Sequence, residues 1–330
     1  MNKKYNPKNK DIFVSTVTEN LIESCNIFSK KFNKKIILIS SLNQVSTYKH
    51  SYLYNDISLL NKKINKFKNE NIFLGRDHFG INSIKNFNIK NKLLFLKKNL
   101  INDLNNNISF IHLDFAKDLN ILENFKKFTE IIMPRNNEII IEIGLDEDGV
   151  KTKIDKFLKL QDLSKKYKKN IKIITYQTGS KLFNNMNKAR LSYKEIEETI
   201  TDKFNIYYKE HNCDFKHKNH FKKLNNFNFL FNIGPEFAYY ENITFCKLIE
   251  KYLNKNDYEK LYNEVINKKL WIKWCSKNNN KKEKIFSSLH YFYNDMLFRD
   301  VKEKLIIKKE DYNNVVINNH IKLMKNKFIF

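Results

Sequence analysis

Three histidines in this chain stand next to acids: His78 in "LGRDHFGIN" (Leu74–Asn82), His112 in "IHLD" and His211 in "EHNCDF". Asp77, Asp114 and Asp214 accompany them, and Glu142 lies in "EIIIEIG". Imidazoles mixed with carboxylates suit a divalent cation, zinc first, with manganese or another ion as the alternative. The expected ligands are His78, His112 and His211, with Asp114 and Glu142 close by. Such a metal would polarise a substrate carbonyl and stabilise an enediolate. Asp77 is the nearby carboxylate best placed to move protons, and Asp77, Asp114, Glu142 and Asp214 form the candidate catalytic acids. Arg76, Lys181 and the backbone N–H groups near Gly179 and Gly234 suit a phosphate. A single histidine of this kind is more often a hydrogen-bonded structural residue. Three of them, each with an acid beside it, shift the balance toward a site. His50, His217, His220, His290 and His320 read as surface or core.

These residues need a scaffold that gathers them. Short β-branched or aromatic runs recur at 12–17, 36–40, 71–75, 108–113, 138–143, 171–176, 204–208 and 227–233. They are continuously apolar, as strands covered on both faces should be. Amphipathic stretches separate them. One opens on Thr18 as an N-cap, and another on Pro235 at a first-turn position. Eight such units predict a (β/α)8 barrel over residues 1–254, with a helical extension packed on it over 255–330; barrels of this kind run to about 250 residues. A doubly wound open sheet is the alternative, but no glycine-rich nucleotide fingerprint follows the first strand. Catalytic groups in such barrels come from the C-terminal ends of the strands. The chemistry-bearing residues all fall there, with Asn43 and Gln44 after strand 2, Asn82 after strand 3 and Gln177 after strand 6. The six glycines, Gly75, Gly80, Gly144, Gly149, Gly179 and Gly234, fall there too. Close approach to a ligand is one reason for them; tight turns are the plainer one. Side chains two apart share a strand face, so His112 pairs with Asp114 and Arg76 with His78.

The net charge is +25, with 61 basic and 36 acidic residues. The bases are nearly all Lys, scattered among Asn and Ile, and only four are Arg. Nucleic-acid readers lean on Arg for bidentate contacts, so that class is set aside. No run of 18 apolar residues suggests a membrane span. The polar N-terminus lacks the apolar segment of a secretory signal, and the expectation is a cytoplasmic protein. Four cysteines show no metal-binding spacing and read as buried thiols.

Taken in order, "LNQV", "LGRDHFGIN", "IHLD", "EIGLDEDG", "YQTG", "HNCDF" and "FNIGPEFAYYENITF" resemble the motifs of the GatZ/KbaZ-like family. Its best-known members are the non-catalytic subunits of class II D-tagatose-1,6-bisphosphate aldolase. The resemblance spans about residues 10–250. Ile81 stands where the family has Pro, Asp146 where it has Glu, and Thr178 where it has Pro. The resemblance implies a barrel related to class II aldolases and a sugar-phosphate substrate. Carried over, it picks out Asn43, Gln44, Asn82 and Gln177 for substrate, alongside Asp77, His78, His112, Asp114, His211, Asp214 and Gly234. It also implies aldolase or epimerase chemistry on a ketose, or an accessory role beside a class II aldolase catalytic subunit, and leaves room for a homo-oligomer.

Overall fold

The computed structural model describes residues 4–47, 51–81, 89–115, 121–135, 138–144, 170–176, 181–187, 206–224, 227–307 and 311–329. Eight parallel strands close on themselves: β1 (Ile12–Ser15), β2 (Ile36–Ser40), β3 (Ile72–Phe79), β4 (Phe110–Asp114), β5 (Ile140–Gly144), β6 (Ile171–Tyr176), β7 (Tyr207–Glu210) and β8 (Phe229–Ile233). Each pairs with its neighbour in sequence, and β8 pairs with β1. This is the (β/α)8 barrel that the eight runs predict.

The period of two along each strand divides the side chains between two cores. Ile12, Val14, Ile36, Leu38, Ile111, Leu113, Ile141 and Ile143 face outward and pack under the helices. Phe13, Ile37, Ile39, Phe73, Phe110, Ile140, Ile173 and Leu230 face inward and fill the barrel. Tyr5 closes the lower end, with its ring 5.2 Å from Phe73 and its hydroxyl donating to Asp11 Oδ2 at 3.0 Å. Continuous apolar strands follow directly from this arrangement, since both faces are buried.

The helices are α1 (Glu19–Phe32), α2 (Ile57–Asn65), α3 (Ile89–Asn105), α4 (Ile121–Ile132), α5 (Lys218–Leu224) and α6 (Pro235–Tyr252). Thr18 caps α1, its hydroxyl accepting from Leu21 N–H at 3.1 Å. Pro235 takes the first turn of α6. Beyond them lie α7 (Lys255–Asn267), α8 (Lys281–Ser288), α9 (Met296–Ile307) and α10 (Tyr312–Phe328). The helix α10 returns to the barrel. Its Met324 and Phe328 join the outer core, and His320 bonds Ser24 of α1 at 3.3 Å and the Phe237 carbonyl at 3.3 Å. No described helix is long and apolar enough to cross a membrane.

Most strand boundaries shift by a few residues from the hydropathy reading, and two of the shifts matter for the site. β3 runs on through Arg76, Asp77 and His78 to Phe79. β7 (Tyr207–Glu210) runs past the expected end at 208 through Lys209 and Glu210. In both cases charged residues occupy strand positions and are buried by pairing, which hydropathy does not register.

Candidate active site

Two residues above the apolar floor the inward positions turn polar: Ser15 follows Phe13, His112 follows Phe110, Glu142 follows Ile140, Thr175 follows Ile173, Lys209 follows Tyr207 and Asn232 follows Leu230. Two residues further along the same faces come Asp114, Gly144 and His211. Strand periodicity therefore lifts one ring of polar groups to the C-terminal mouth of the barrel.

His78, His112 and His211 meet there. Their ring centroids are 5.3 Å (His78–His112), 5.5 Å (His78–His211) and 5.1 Å (His112–His211) apart. His78 arrives by an irregular route. The pairing of β3 with β4 slips between Arg76 and Phe79, and His78 holds a left-handed φ of 47°. This backbone costs a non-glycine residue about 1–3 kcal/mol and turns adjacent Asp77 and His78 toward the same space. The expected pairing of Arg76 with His78 on one face is thereby corrected.

Donor atoms of Asp77, His112 and His211 all lie within 4.8 Å of one another, and this buried group could hold a metal ion. Bonds of about 2.0–2.2 Å put tetrahedral donors roughly 3.4 Å apart, so the donors would draw together around an ion. It differs from the expected three-histidine set by placing Asp77 among the donors. His78 Nδ1 lies 3.2 Å from Asp114 Oδ2, and its Nε2 is 3.6 Å from Asp77 Oδ2.

Hydrogen bonds orient the imidazoles. The Thr175 hydroxyl donates to Glu142 Oε1 at 2.5 Å and so accepts from His112 Nε2 at 3.3 Å. His211 Nε2 donates to the same carboxylate oxygen at 3.2 Å. His112 Nδ1 accepts from the His78 N–H at 3.4 Å and lies 3.1 Å from Asp77 Oδ1. Carboxylates behind metal-binding imidazoles commonly perform this orienting task. Glu142 has no exposed surface and sits behind the imidazoles.

Lys209 supplies the balancing charge. It is fully buried, 2.5 Å from Glu142 Oε2 and 3.7 Å from Asp77 Oδ1, over the rings of Phe13 and Phe110. Burial opposes the charge on Asp77, but His78, Lys209 and His112 outweigh it and hold the carboxyl well below its usual range. Burial opposes Glu142 as well, and His112, Lys209 and His211 bring it down to about 2. Hydropathy reads "IYYKEH" as a strand running out, and this hid Lys209 in the sequence. Its separation of two from His211, on the same face, was the available signal.

A cavity of about 460 Å³ opens above the cluster. Asp77, His78, Asp114 and His211 line it, as do Asn43 and Lys181. Gln44, Asp214 and Gly234 line it too, with hydrogen bonds of their own inside the protein, whereas Arg76 does not reach it. Arg76 has no exposed surface. It grips Asp103 of α3 through Nε at 2.7 Å and Nη2 at 2.6 Å, and its Nη1 donates to the carbonyls of Ser40 and Val45. It fastens strand to helix outside the barrel and does not face a phosphate. Gln44 accepts from Ser41 N–H at 2.7 Å and donates to Ser15 Oγ at 2.9 Å and the Thr16 carbonyl at 3.2 Å, so its amide braces the loop. Asp214 Oδ1 accepts from Gly234 N–H at 2.9 Å and Glu236 N–H at 2.8 Å, anchoring the start of α6. Burial and then the Glu236 carboxylate push Asp214 up to about 7. The Gly234 N–H is thus already taken and is not offered to a phosphate.

The glycines answer to packing. A Cβ on Gly144 would come 2.3 Å from Thr175 Oγ1 and 3.0 Å from His112 Nε2; one on Gly234 would come 2.5 Å from Ser15 Cβ. Gly75 and Gly80 are equally confined, by Phe110 and by the Asp114 carbonyl. Close packing confines these four, two of them, Gly75 and Gly144, within strands rather than in turns. Asn82, Gln177, Gly149 and Gly179 lie outside the described residues. His290, expected as surface or core, lines the cavity together with Lys273, Trp274 and Tyr291 from the extension, none of which the sequence had suggested.

No family model matches the sequence, and no curated protein matches it. Solved structures do match in fold. A probable tagatose 6 phosphate kinase from Sinorhizobium meliloti 1021 superposes with a TM-score of 0.67 at 11% identity, over 96% of this chain and 88% of that one. A fructuronate-tagaturonate epimerase from Cohnella laeviribosi gives 0.66 at 10% identity, over 98% and 82%. The YdjI aldolase from Escherichia coli K12 gives 0.52 at 9% identity, over 97% and 91%. At these identities the likeness is one of fold.

Proposed function

We propose that this protein is a divalent-metal-dependent enzyme of sugar metabolism that acts on a ketose or ketose phosphate by aldol cleavage or epimerisation. One observation carries the reading: Asp77, His112 and His211 converge at a cavity, with both imidazoles tied back to Glu142. The described fold neighbours named as an aldolase and as a fructuronate-tagaturonate epimerase support it, as do the GatZ/KbaZ-like motifs.

In this reading Asp77, His112 and His211 would hold the ion, which would supply the Lewis acidity that stabilises an enediolate, whether a C–H bond beside the ketone breaks in epimerisation or a C–C bond in aldol cleavage. The chain's own residues do the rest. Glu142 and Thr175 hold the ring orientations. Lys209 keeps two buried carboxylates from repelling each other. His78, steadied by Asp114, stands at the cavity mouth and moves the proton. Asn43 and Lys181 line the space a sugar would enter.

The test is solvent deuterium exchange followed by NMR. Metal-loaded protein should place deuterium on the carbon next to the ketone of tagatose 6-phosphate or tagaturonate, or of the shorter ketone released by cleavage, and chelator should stop it. Absence of exchange with zinc and with manganese, on both compounds, would remove the proposal. An accessory subunit beside a class II aldolase would need no intact relay behind its histidines, and the relay is complete. Replacing Thr175 by Val keeps the shape and deletes the hydroxyl between His112 and Glu142. Metal affinity should fall by about 10–100-fold, read by competition with a chromophoric chelator, while the folding transition stays in place.

A further inference from the structure

The cavity has a second wall that the barrel does not make. It comes from residues 270–293 of the extension, where Lys273, Trp274, His290 and Tyr291 line the same space as Asp77 and His78. This wall is built into the molecule. The Asn184 N–H donates to the Trp274 carbonyl at 2.9 Å, and the Ser276 N–H donates to Asn184 Oδ1 at 3.1 Å. These bonds join the segment to the short hairpin that follows Lys181. Lys181 and Lys273 thus stand on two segments fastened to each other, and both line the cavity.

His290 adds a second observation. It is 4% exposed, and its Nδ1 has no hydrogen-bond partner among the described residues. Its ring packs against Tyr291, with centroids 4.1 Å apart, and edge-on to Tyr52 at 5.8 Å. Burial, and then the charge of Lys273, bring it down to about 3, so it is a neutral imidazole. A buried polar atom without a partner is uncommon in folded proteins and is expected to meet a ligand or water. Trp274 presents an indole with Lys273 Nζ 4.6 Å over its ring.

We propose that residues 270–293 form the far half of the substrate subsite. His290 hydrogen-bonds a sugar hydroxyl, Trp274 packs on the sugar's carbon face, and Lys273 with Lys181 receives a terminal anionic group, phosphate or carboxylate. The proposal rests on the ketose reading above and names the residues that select its substrate.

The experiment is calorimetric titration of the metal-loaded full chain with tagatose 6-phosphate, tagaturonate and neutral tagatose. Lys273→Met should weaken both anionic sugars by about tenfold, the loss of one charge-assisted contact, and leave tagatose unchanged. His290→Gln should weaken all three. The tighter of the two anionic sugars identifies the anion. Should His290→Gln fail to fold, Lys273→Met decides alone, and Lys181→Met repeats its test from the other side. Equal affinities in Lys273→Met and wild type overturn the subsite. So does an equal loss for charged and neutral sugars, or no binding of any probe to the wild type. Probe binding without deuterium exchange would sink the catalytic reading and keep the subsite. Exchange with an indifferent Lys273 would do the reverse.

Discussion

His112→Ala is expected to lose bound divalent metal and to lower turnover by at least about a thousandfold, the scale of the charge stabilisation that a metal gives a carbonyl reaction. His112 has no exposed surface and contacts both Asp77 and Thr175, so its loss removes a donor and unfastens the relay to Glu142. His211→Ala should behave alike. His78→Ala is the informative contrast. That ring lies at the mouth against Asp114 and outside the tight group of donors. It should keep its metal and lose about 10²–10⁴ in rate, as a lost general acid or base does. Elemental analysis beside exchange rates separates the two patterns. Equal metal loss in all three variants would return His78 to the ligand set.

Arg76→Ala should destabilise the fold by about 3–5 kcal/mol without a specific effect on substrate affinity. The guanidinium makes two bonds to Asp103 and two to backbone carbonyls, all buried. Removing it takes the donor away from the Asp103 carboxylate on α3 and from the Ser40 and Val45 carbonyls at and after the end of β2. Replacing Arg76 and Asp103 together by Met and Leu should restore most of the loss, because an apolar pair needs no partner charge. Urea unfolding checks both. A large rise in KM with unchanged stability would instead return Arg76 to the substrate, where the sequence alone had placed it.

The difference between these residues shows where reading a sequence stops. Eight apolar runs sufficed for the barrel, because a strand buried on both faces must be apolar along its length. His112 and Asp114 were legible because strict alternation holds in β4. Arg76 and His78 were misjudged as a pair because a positive φ and a register slip break alternation within β3. Lys209 and Glu210 escaped because ion pairing, with Glu142 for one and with Lys216 and His220 for the other, buries charges that hydropathy places outside. The second wall of the cavity was invisible for another reason: nothing local in "LWIKW" or "LHYFY" says that these segments cross to the mouth of a barrel that ends earlier in the chain.

Zinc-edge anomalous diffraction from zinc-soaked crystals tests the central claim most directly. The account predicts one strong peak bounded by Asp77, His112 and His211. A map with no peak there, or with zinc held only by surface residues, would contradict it.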